Sequence, residues 1–269
     1  KDPTEEFEGT SEIMIGTYGT RSSGVAFGGP LSDNKDIKYR LAIRKDYSDG
    51  FRKNIFLNKS DTSKKDETSL RLKVDWDLAK NSKLKFLISD IDLDDPADIW
   101  TIDGSLNTLS DRPGMDSQRT KTFGVKYYLE FKTFELQSFS SYTDTDVVFS
   151  YDADWGNEQS HAPYTYDYFS ETFRERRSYG QEIRLVSNEL NYFLSTPIEW
   201  VLGVNALKLK EGNERYDDGA YGDPSDPFGP YLSNDFFSSE YSSKNLALYG
   251  SIDFLLTDSL KLSIGLRDE

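Results

Sequence analysis

The residues best suited to recognition chemistry are the only histidine of the chain, four aromatic side chains near it in the sequence and one further tryptophan. They are Trp100, Tyr151, Trp155, His161, Tyr164 and Tyr166. Aromatic rings and an imidazole can stack on an aromatic or sugar-like ligand, and the imidazole can contact a chelated metal. The same composition also fits a loop that packs on itself near lipid headgroups. The sequence leaves both interpretations open.

A dense acidic run is the second candidate for chemistry. It consists of Asp90, Asp92, Asp94 and Asp95. An EF-hand calcium loop would need a glycine and a closing glutamate at fixed positions, and Pro96 stands at the seventh place instead. We therefore expect a solvated acidic loop without a metal, and we expect the same of the aspartates between Tyr216 and Tyr231.

Composition excludes several classes of function. The 269 residues carry 32 Lys and Arg against 47 Asp and Glu, which gives a net charge of −15 and disfavours nucleic acid as a partner. The absence of cysteine removes disulfides, zinc–thiolate sites and thiol nucleophiles, and a single histidine removes imidazole clusters. No strand-end pair of carboxylates stands out as a hydrolase site. We expect no catalytic residues, no metal site and no cofactor.

Hydrophobic periodicity predicts β-strands along nearly the whole chain. In Ile37–Lys45, for example, isoleucine, tyrosine and leucine alternate with lysine and arginine. We predict eleven strands, at about 7–18, 21–29, 37–45, 69–76, 84–89, 122–131, 133–145, 182–186, 200–205, 246–254 and 261–267. The fold class is therefore all-β, an antiparallel up-and-down sheet.

The predicted connections fall into two populations. Short turns lie at about 30–36, 77–83, 131–133, 188–197 and 255–259. Long polar loops lie at about 45–67, 90–121, 144–173 and 210–244. After the first hairpin the two kinds alternate, which places all the long loops at one end of an up-and-down sheet. This is the layout of an outer-membrane β-barrel.

The two faces of the strands favour a membrane barrel over a soluble sheet. Charged residues occupy the polar face in mid-strand, which suits a hydrated lumen. Tyrosine and tryptophan lie towards strand ends on the apolar face, as interfacial girdles require; these residues are Tyr39, Trp76, Tyr127 and Trp200. A passive porin-like channel and a soluble carbohydrate-active β-protein stay open as alternatives.

Several segments also resemble the barrel of a TonB-dependent outer-membrane receptor. The early ones are Gly28–Asp33, Tyr39–Ala42, Asp49–Asn54 and Ser69–Trp76. The later ones are Gln181–Ser187, Glu199–Gly203, Ala247–Gly250, Leu256–Asp258 and Leu260–Arg267. Their order and spacing extend over nearly the whole chain.

The resemblance implies that residues 1–269 are part of a larger receptor. Such receptors have an N-terminal plug and a barrel of about 22 strands, so residues 1–269 would form roughly the first half of the barrel, without plug or later strands. The implied function is TonB-coupled uptake of a scarce nutrient complex, above all an iron–siderophore, across the outer membrane of a Gram-negative bacterium. The implied partners are the plug, the TonB system through the plug, membrane lipid and lipopolysaccharide.

In such a receptor, a cluster of basic residues on the polar face is expected to contact the plug. Lys38, Arg40, Arg44, Arg71, Lys73 and Lys85 share the polar face of three consecutive predicted strands. Six like charges repel one another unless water or carboxylates neutralise them. We expect them to face the lumen and to pair with carboxylates of the plug, with simple solvation as the alternative.

Overall fold

The structure is a computed structural model that describes residues 1–188 and 191–269. All regular elements within these residues are strands. They are β1 (Glu8–Ile15), β2 (Arg21–Pro30), β3 (Ile37–Ser48), β4 (Lys53–Asn54), β5 (Lys65–Ala79), β6 (Ser82–Pro96), β7 (Asn107–Thr108), β8 (Met115–Glu130), β9 (Phe134–Asp152), β10 (Thr165–Ser187), β11 (Asn191–Phe193), β12 (Thr196–Gly222), β13 (Tyr231–Thr257) and β14 (Leu260–Asp268). The described part of the chain contains no helix of the length and apolarity needed to cross a membrane.

Eleven strands form one sheet in the order of the sequence. The order is β1, β2, β3, β5, β6, β8, β9, β10, β12, β13 and β14, every pair is antiparallel, and the short β11 adds to β12. The predicted eleven-stranded up-and-down sheet is therefore confirmed. In the predicted turn at 188–197, residues 189 and 190 lie outside the described residues.

The strand register places the apolar side chains in rows on one face of the sheet. Leu41 lies opposite Leu72, Leu72 opposite Ile88, and Ile88 opposite Phe123. Ile88 and Phe123 are 44% and 45% exposed. In the described residues the buried hydrophobic side chains are limited to Ala97, Ile198 and Ala247. A sheet with an exposed apolar face and hardly any apolar core is suited to lipid rather than to water.

Four strands continue well beyond their predicted ends. β9 and β10 leave only 153–164 as their connection, and β12 and β13 leave only 223–230. The predicted loops 144–173 and 210–244 are therefore much too long. Beyond the apolar stretch both faces of a strand meet water, so the sequence loses its period of two and looks like a loop.

The acidic run Asp90–Asp95 lies within strand β6, so its interpretation as a loop is wrong. Asp90 lies opposite Leu70 of β5 and Lys121 of β8, at the point where β6 leaves the apolar rows. No group of three or more acidic or imidazole side chains among the described residues is arranged to hold a metal ion.

Candidate functional site

Three connections at the end of the sheet opposite the short turns pack into one body, which we call the polar cap. The cap consists of residues 49–64, 97–114 and 153–164. Its first two connections are joined by β4 and β7, which pair in parallel with Asn54 opposite Thr108. Parallel pairing of two-residue strands gives little stability, so side-chain contacts must hold the cap together.

Asn54 is the centre of the cap and is completely buried, at 0% exposure. Its Nδ2 donates to Asp98 Oδ2 at 3.0 Å and to the Ser110 carbonyl oxygen at 2.7 Å. Thr108 Oγ1 donates to the same Asp98 oxygen at 2.6 Å, and the Leu57 N–H donates to Asn54 Oδ1 at 2.8 Å. Both ends of the amide are therefore satisfied, as a buried polar side chain requires. A fully bonded network of this kind fixes one arrangement of the loops.

The third connection, residues 153–164, is joined to the second by one backbone hydrogen bond and one side-chain hydrogen bond. The Asp111 N–H donates to the Gly156 carbonyl at 2.9 Å, and Asn157 Nδ2 donates to the Leu109 carbonyl at 2.7 Å. Asp154 shapes the turn itself, because its two carboxylate oxygens accept the N–H groups of Gly156 and Tyr168, each at 2.8 Å. The segment 153–164 is thus anchored to 97–114 and to the start of β10.

Carboxylates concentrate at the junction of these segments. Asp152 is only 6% exposed. Burial raises the pKa of the Asp152 carboxyl to about 7, and the nearby Asp154 and Asp111 carboxylates act in the same direction. Burial also raises the pKa of Asp111, together with the charges of Asp167 and Asp154. The cap therefore takes up protons at a mildly acidic pH, where an exposed aspartate would be ionised.

A cation–carboxylate contact joins the cap to strand β12. The Arg112 guanidinium bonds to Asp218 and lies 4.3 Å from the centre of the Phe169 ring. Its Nη1 is also 3.8 Å from Asp167 Oδ1. Arg112 thus offsets part of the negative charge of the cap. It also links the connection between β6 and β8 to β12, which is the third strand after β8 in the sheet.

The six aromatic candidates lie in the cap or beside it, in separate groups. Trp100 packs on Tyr151 with ring centres 5.2 Å apart, and the His161 and Tyr166 rings are 5.1 Å apart. His161 Nε2 also lies 3.5 Å from Asp154 Oδ1. Trp155 and Tyr164 are 42% and 48% exposed, so their rings are accessible from outside the cap. The cap therefore combines self-packed aromatic pairs with two aromatic rings open to solvent.

The six basic candidates do lie on one face of β3, β5 and β6, and four of them have carboxylates of this chain beside them. Their ion pairs are Lys38 with Glu5 at 3.4 Å and Asp77 at 3.2 Å, Lys73 with Asp2 at 2.8 Å, Lys85 with Asp75 at 3.2 Å and Asp2 at 4.0 Å, and Arg44 with Asp46 at 2.8 Å and Glu12 at 3.5 Å. The first residues of the chain therefore lie across the basic face, which the sequence did not suggest.

The other two basic residues are different. Arg71 has no carboxylate within 4.0 Å among the described residues, and Arg40 Nη1 is buried without a hydrogen bond there. Arg71 lines a shallow cleft of about 450 Å³ together with Arg44 and Glu12. Of the six basic residues, these two arginines are the ones that can donate hydrogen bonds to a further carboxylate.

Sequence reasoning missed the residues that build the cap. Asn54 bonds to Asp98 and Ser110 across 44 and 56 residues of chain, and Arg112 bonds to Asp218 across 106 residues. No local motif marks such partners. The one available signal was that Asn54 and Asp98 lie in connections at the same end of the sheet.

Comparison with known proteins places the chain in a family. A family model described as "TonB dependent receptor-like, beta-barrel" matches residues 82–269. No curated protein sequence matches the chain. Among solved structures, the ferric yersiniabactin uptake receptor of Yersinia pestis is 15% identical with a TM-score of 0.77, and 99% of this chain covers 39% of that one.

Two other solved structures agree with this result. The ferripyoverdine receptor of the outer membrane of Pseudomonas aeruginosa is 18% identical with a TM-score of 0.71, and 99% of this chain covers 37% of that one. The ferric preacinetobactin receptor of Acinetobacter baumannii is 14% identical with a TM-score of 0.67, and 99% of this chain covers 41% of that one. The chain thus spans about two-fifths of the length of these receptors.

At these identities the structural likeness establishes the fold, and the family model establishes the membership. Members of this family are transport receptors rather than enzymes, and they reside in the outer membrane of Gram-negative bacteria. The match begins at Ser82, yet β1, β2, β3 and β5 continue the same sheet before it. The chain belongs to the TonB-dependent receptor-like β-barrel family of the outer membrane.

Proposed function

We propose that the protein takes up an iron–siderophore complex through the outer membrane with TonB-coupled energy, and that residues 1–269 form part of its barrel domain. The observation that carries this proposal is the polar cap. It is a hydrogen-bonded body at the loop end of a family barrel, and it exposes the rings of Trp155 and Tyr164 to solvent. A passive channel needs no such ordered body over its mouth.

The cap offers the chemistry that a ferric chelate requires. Siderophore complexes carry aromatic or amide groups around the metal, which aromatic rings can stack on and hydroxyl groups can bond to. We assign ligand contact to the six aromatic candidates: Trp100, Tyr151, Trp155, His161, Tyr164 and Tyr166. Trp155 and Tyr164 are the first points of contact, because they are exposed in the free protein.

The basic face serves the plug in this proposal. Arg71 and Arg40 have free donor capacity, whereas Lys38, Arg44, Lys73 and Lys85 already have acidic neighbours. A carboxylate of the plug that reaches Arg71 would pair with it in the shallow cleft beside Arg44. The TonB system would act on the barrel only through this plug.

Uptake by the full-length protein tests the proposal. A strain that lacks the gene should lose growth on one ferric siderophore as sole iron source, and uptake should require TonB. In the full-length receptor, Trp155→Ala with Tyr164→Ala should weaken binding of that complex by about 30-fold, because stacking on each of the two rings contributes roughly 1 kcal/mol. The matched control is Tyr192→Ala, an exposed tyrosine at the short-turn end of the sheet. Growth that is unaffected by the deletion, or uptake without TonB, would contradict the proposal and favour a passive channel.

A further inference from the structure

The first seven residues of the chain, which we call the strap, lie across the lumen face near the short-turn end of the sheet. The strap has no regular secondary structure, and no backbone hydrogen bond among the described residues joins it to a strand. It passes β2 at Gly29, where a Cβ would stand only 2.9 Å from the Phe7 Cα atom. A residue with a side chain at position 29 would push the strap away, so glycine permits this close approach.

Ion pairs hold the strap on the next three strands. They are Glu5 with Lys38 of β3 at 3.4 Å, Asp2 with Lys73 of β5 at 2.8 Å, and Asp2 with Lys85 of β6 at 4.0 Å. Together with the approach to β2, these contacts extend over four consecutive strands of the sheet. Two carboxylates of the strap thus meet three ammonium groups on one face of the sheet.

The ion pairs of the strap are individually weak. The side chains of Asp2 and Glu5 are 66% and 74% exposed, and an ion pair with one partner in water contributes little to stability. Because no backbone hydrogen bond supports these pairs, the strap can leave the wall of the barrel without disrupting the sheet. The strap is therefore a weakly held segment on a stable scaffold.

The wall of the barrel also tolerates departure of the strap. Lys38 keeps Asp77 at 3.2 Å, and Lys85 keeps Asp75 at 3.2 Å. Lys73 has no other carboxylate within 4.0 Å in the part of the chain that the structure describes, so its charge becomes unpaired when Asp2 leaves. This positive charge attracts the strap carboxylates back to the wall. Detachment is therefore reversible.

We propose that the strap is a releasable latch between the plug and the barrel wall, bound in the resting receptor and detached when force acts on the plug. This latch rests on the proposed function, which places the plug on the N-terminal side of the barrel. A pull on the plug then reaches the sheet through the strap. Detachment gives the plug about 25 Å of additional travel, because seven extended residues span that length, while β1 stays paired with β2.

Single-molecule pulling on the full-length receptor in a lipid bilayer tests this proposal without a ligand. Force is applied through a tag at the N-terminus of the receptor. We expect a separate, reversible rupture that adds about 25 Å of length, after the plug extends and before any hairpin leaves the membrane. Asp2→Asn with Glu5→Gln should raise the rate of this rupture at zero force by about tenfold, because three exposed ion pairs are lost together. Lys73→Arg keeps the charge and should rupture like the wild type.

The matched control removes two carboxylates that lie outside the strap. Asp33→Asn with Asp258→Asn changes the net charge by the same amount at exposed positions of two short turns, and it should rupture like the wild type. Absence of the separate rupture in the wild type, or an equal rate in both double variants, would overturn the proposal. Detachment of the strap only together with the first hairpin would overturn it too. A latch that behaves as expected in a receptor whose uptake does not need TonB would contradict only the proposed function.

Discussion

Arg112 holds Asp218 in a two-point contact, with Nη1 2.8 Å from Oδ2 and Nη2 2.9 Å from Oδ1. The contact joins the polar cap to the upper part of β12, which no backbone hydrogen bond among the described residues does. The pKa of Asp218 is lowered by its hydrogen bonds from Arg112, and the pKa of Arg112 is raised by Asp218. The pair is partly exposed, so solvent screening limits its contribution to about 1 kcal/mol.

Replacement of Arg112 by Lys should therefore loosen the cap without unfolding the barrel. Lysine keeps the charge but cannot make two parallel bonds. We expect faster hydrogen exchange in 97–114 in the full-length receptor, by a factor of about 5, with exchange in β5 and β6 unchanged. Because an ionised Asp218 is needed, the stabilisation should be present above about pH 4 and be lost as the pH falls below that value. Unchanged exchange in Arg112→Lys would show that the contact does not hold the cap.

Asp152 should give the cap the opposite dependence on pH. Its pKa is raised to about 7 by burial, so the closed cap binds a proton more tightly than an open one. The closed state should therefore be most stable below about pH 4 and lose stability as the pH rises from about 4 to about 7. Hydrogen exchange of 153–164 measured between pH 5 and pH 8 would show this.

Asp152→Asn is the matching variant, because the amide has the same shape and no charge. Exchange of 153–164 in this variant should be slow and nearly independent of pH across that range. A wild-type cap whose exchange follows only the intrinsic chemical rate, with no difference from Asp152→Asn, would contradict the prediction.

The buried amide of Asn54 should contribute more to the stability of the cap than any single ion pair does. Asn54→Ala leaves Asp98 and the Ser110 carbonyl without their buried donor, which costs about 2–3 kcal/mol. We expect an added protease to cut 49–64 and 97–114 of the intact-cell receptor much faster in this variant. The control is Asn107→Ala, an exposed asparagine of the same cap, which should resist cleavage like the wild type. Equal resistance in both variants would exclude a structural role for the network.

Replacement of Arg71 should affect how the plug is held but not the folding of the sheet. Since it has no carboxylate partner among the described residues, Arg71→Gln should leave barrel insertion and heat-modifiable mobility unchanged. If a plug carboxylate binds there, the variant should leak small antibiotics and take up less ligand in the full-length protein. Lys126→Gln, on the same face, serves as the control. Normal leakage and normal uptake in Arg71→Gln would show that Arg71 does not seat the plug.

The sequence predicts those parts of the fold in which one face meets lipid and the other meets water. Leu70, Leu72 and Val74 alternate with Ser69, Arg71 and Lys73 for this reason, and their strand lies where the pattern puts it. The upper halves of β12 and β13 were missed because their apolar residues do not alternate regularly with polar ones. The aromatic residues were recognised by type alone, whereas the cap depends on partners such as Asn54 and Asp98, which only the register of the sheet brings together.

Single-cysteine labelling shows directly whether the polar cap lies outside the cell on a barrel that spans the outer membrane. The 269 residues contain no cysteine, so Ser225→Cys, Ser160→Cys, Lys80→Cys and Lys132→Cys each introduce one site into this region. Ser225 and Ser160 lie at the loop end, and Lys80 and Lys132 lie in short turns. A membrane-impermeant maleimide on intact cells should label the two loop-end sites, and should label the two turn sites only after the outer membrane is permeabilised. Labelling of the turn sites on intact cells, with the loop-end sites protected, would show that the polar cap faces the periplasm.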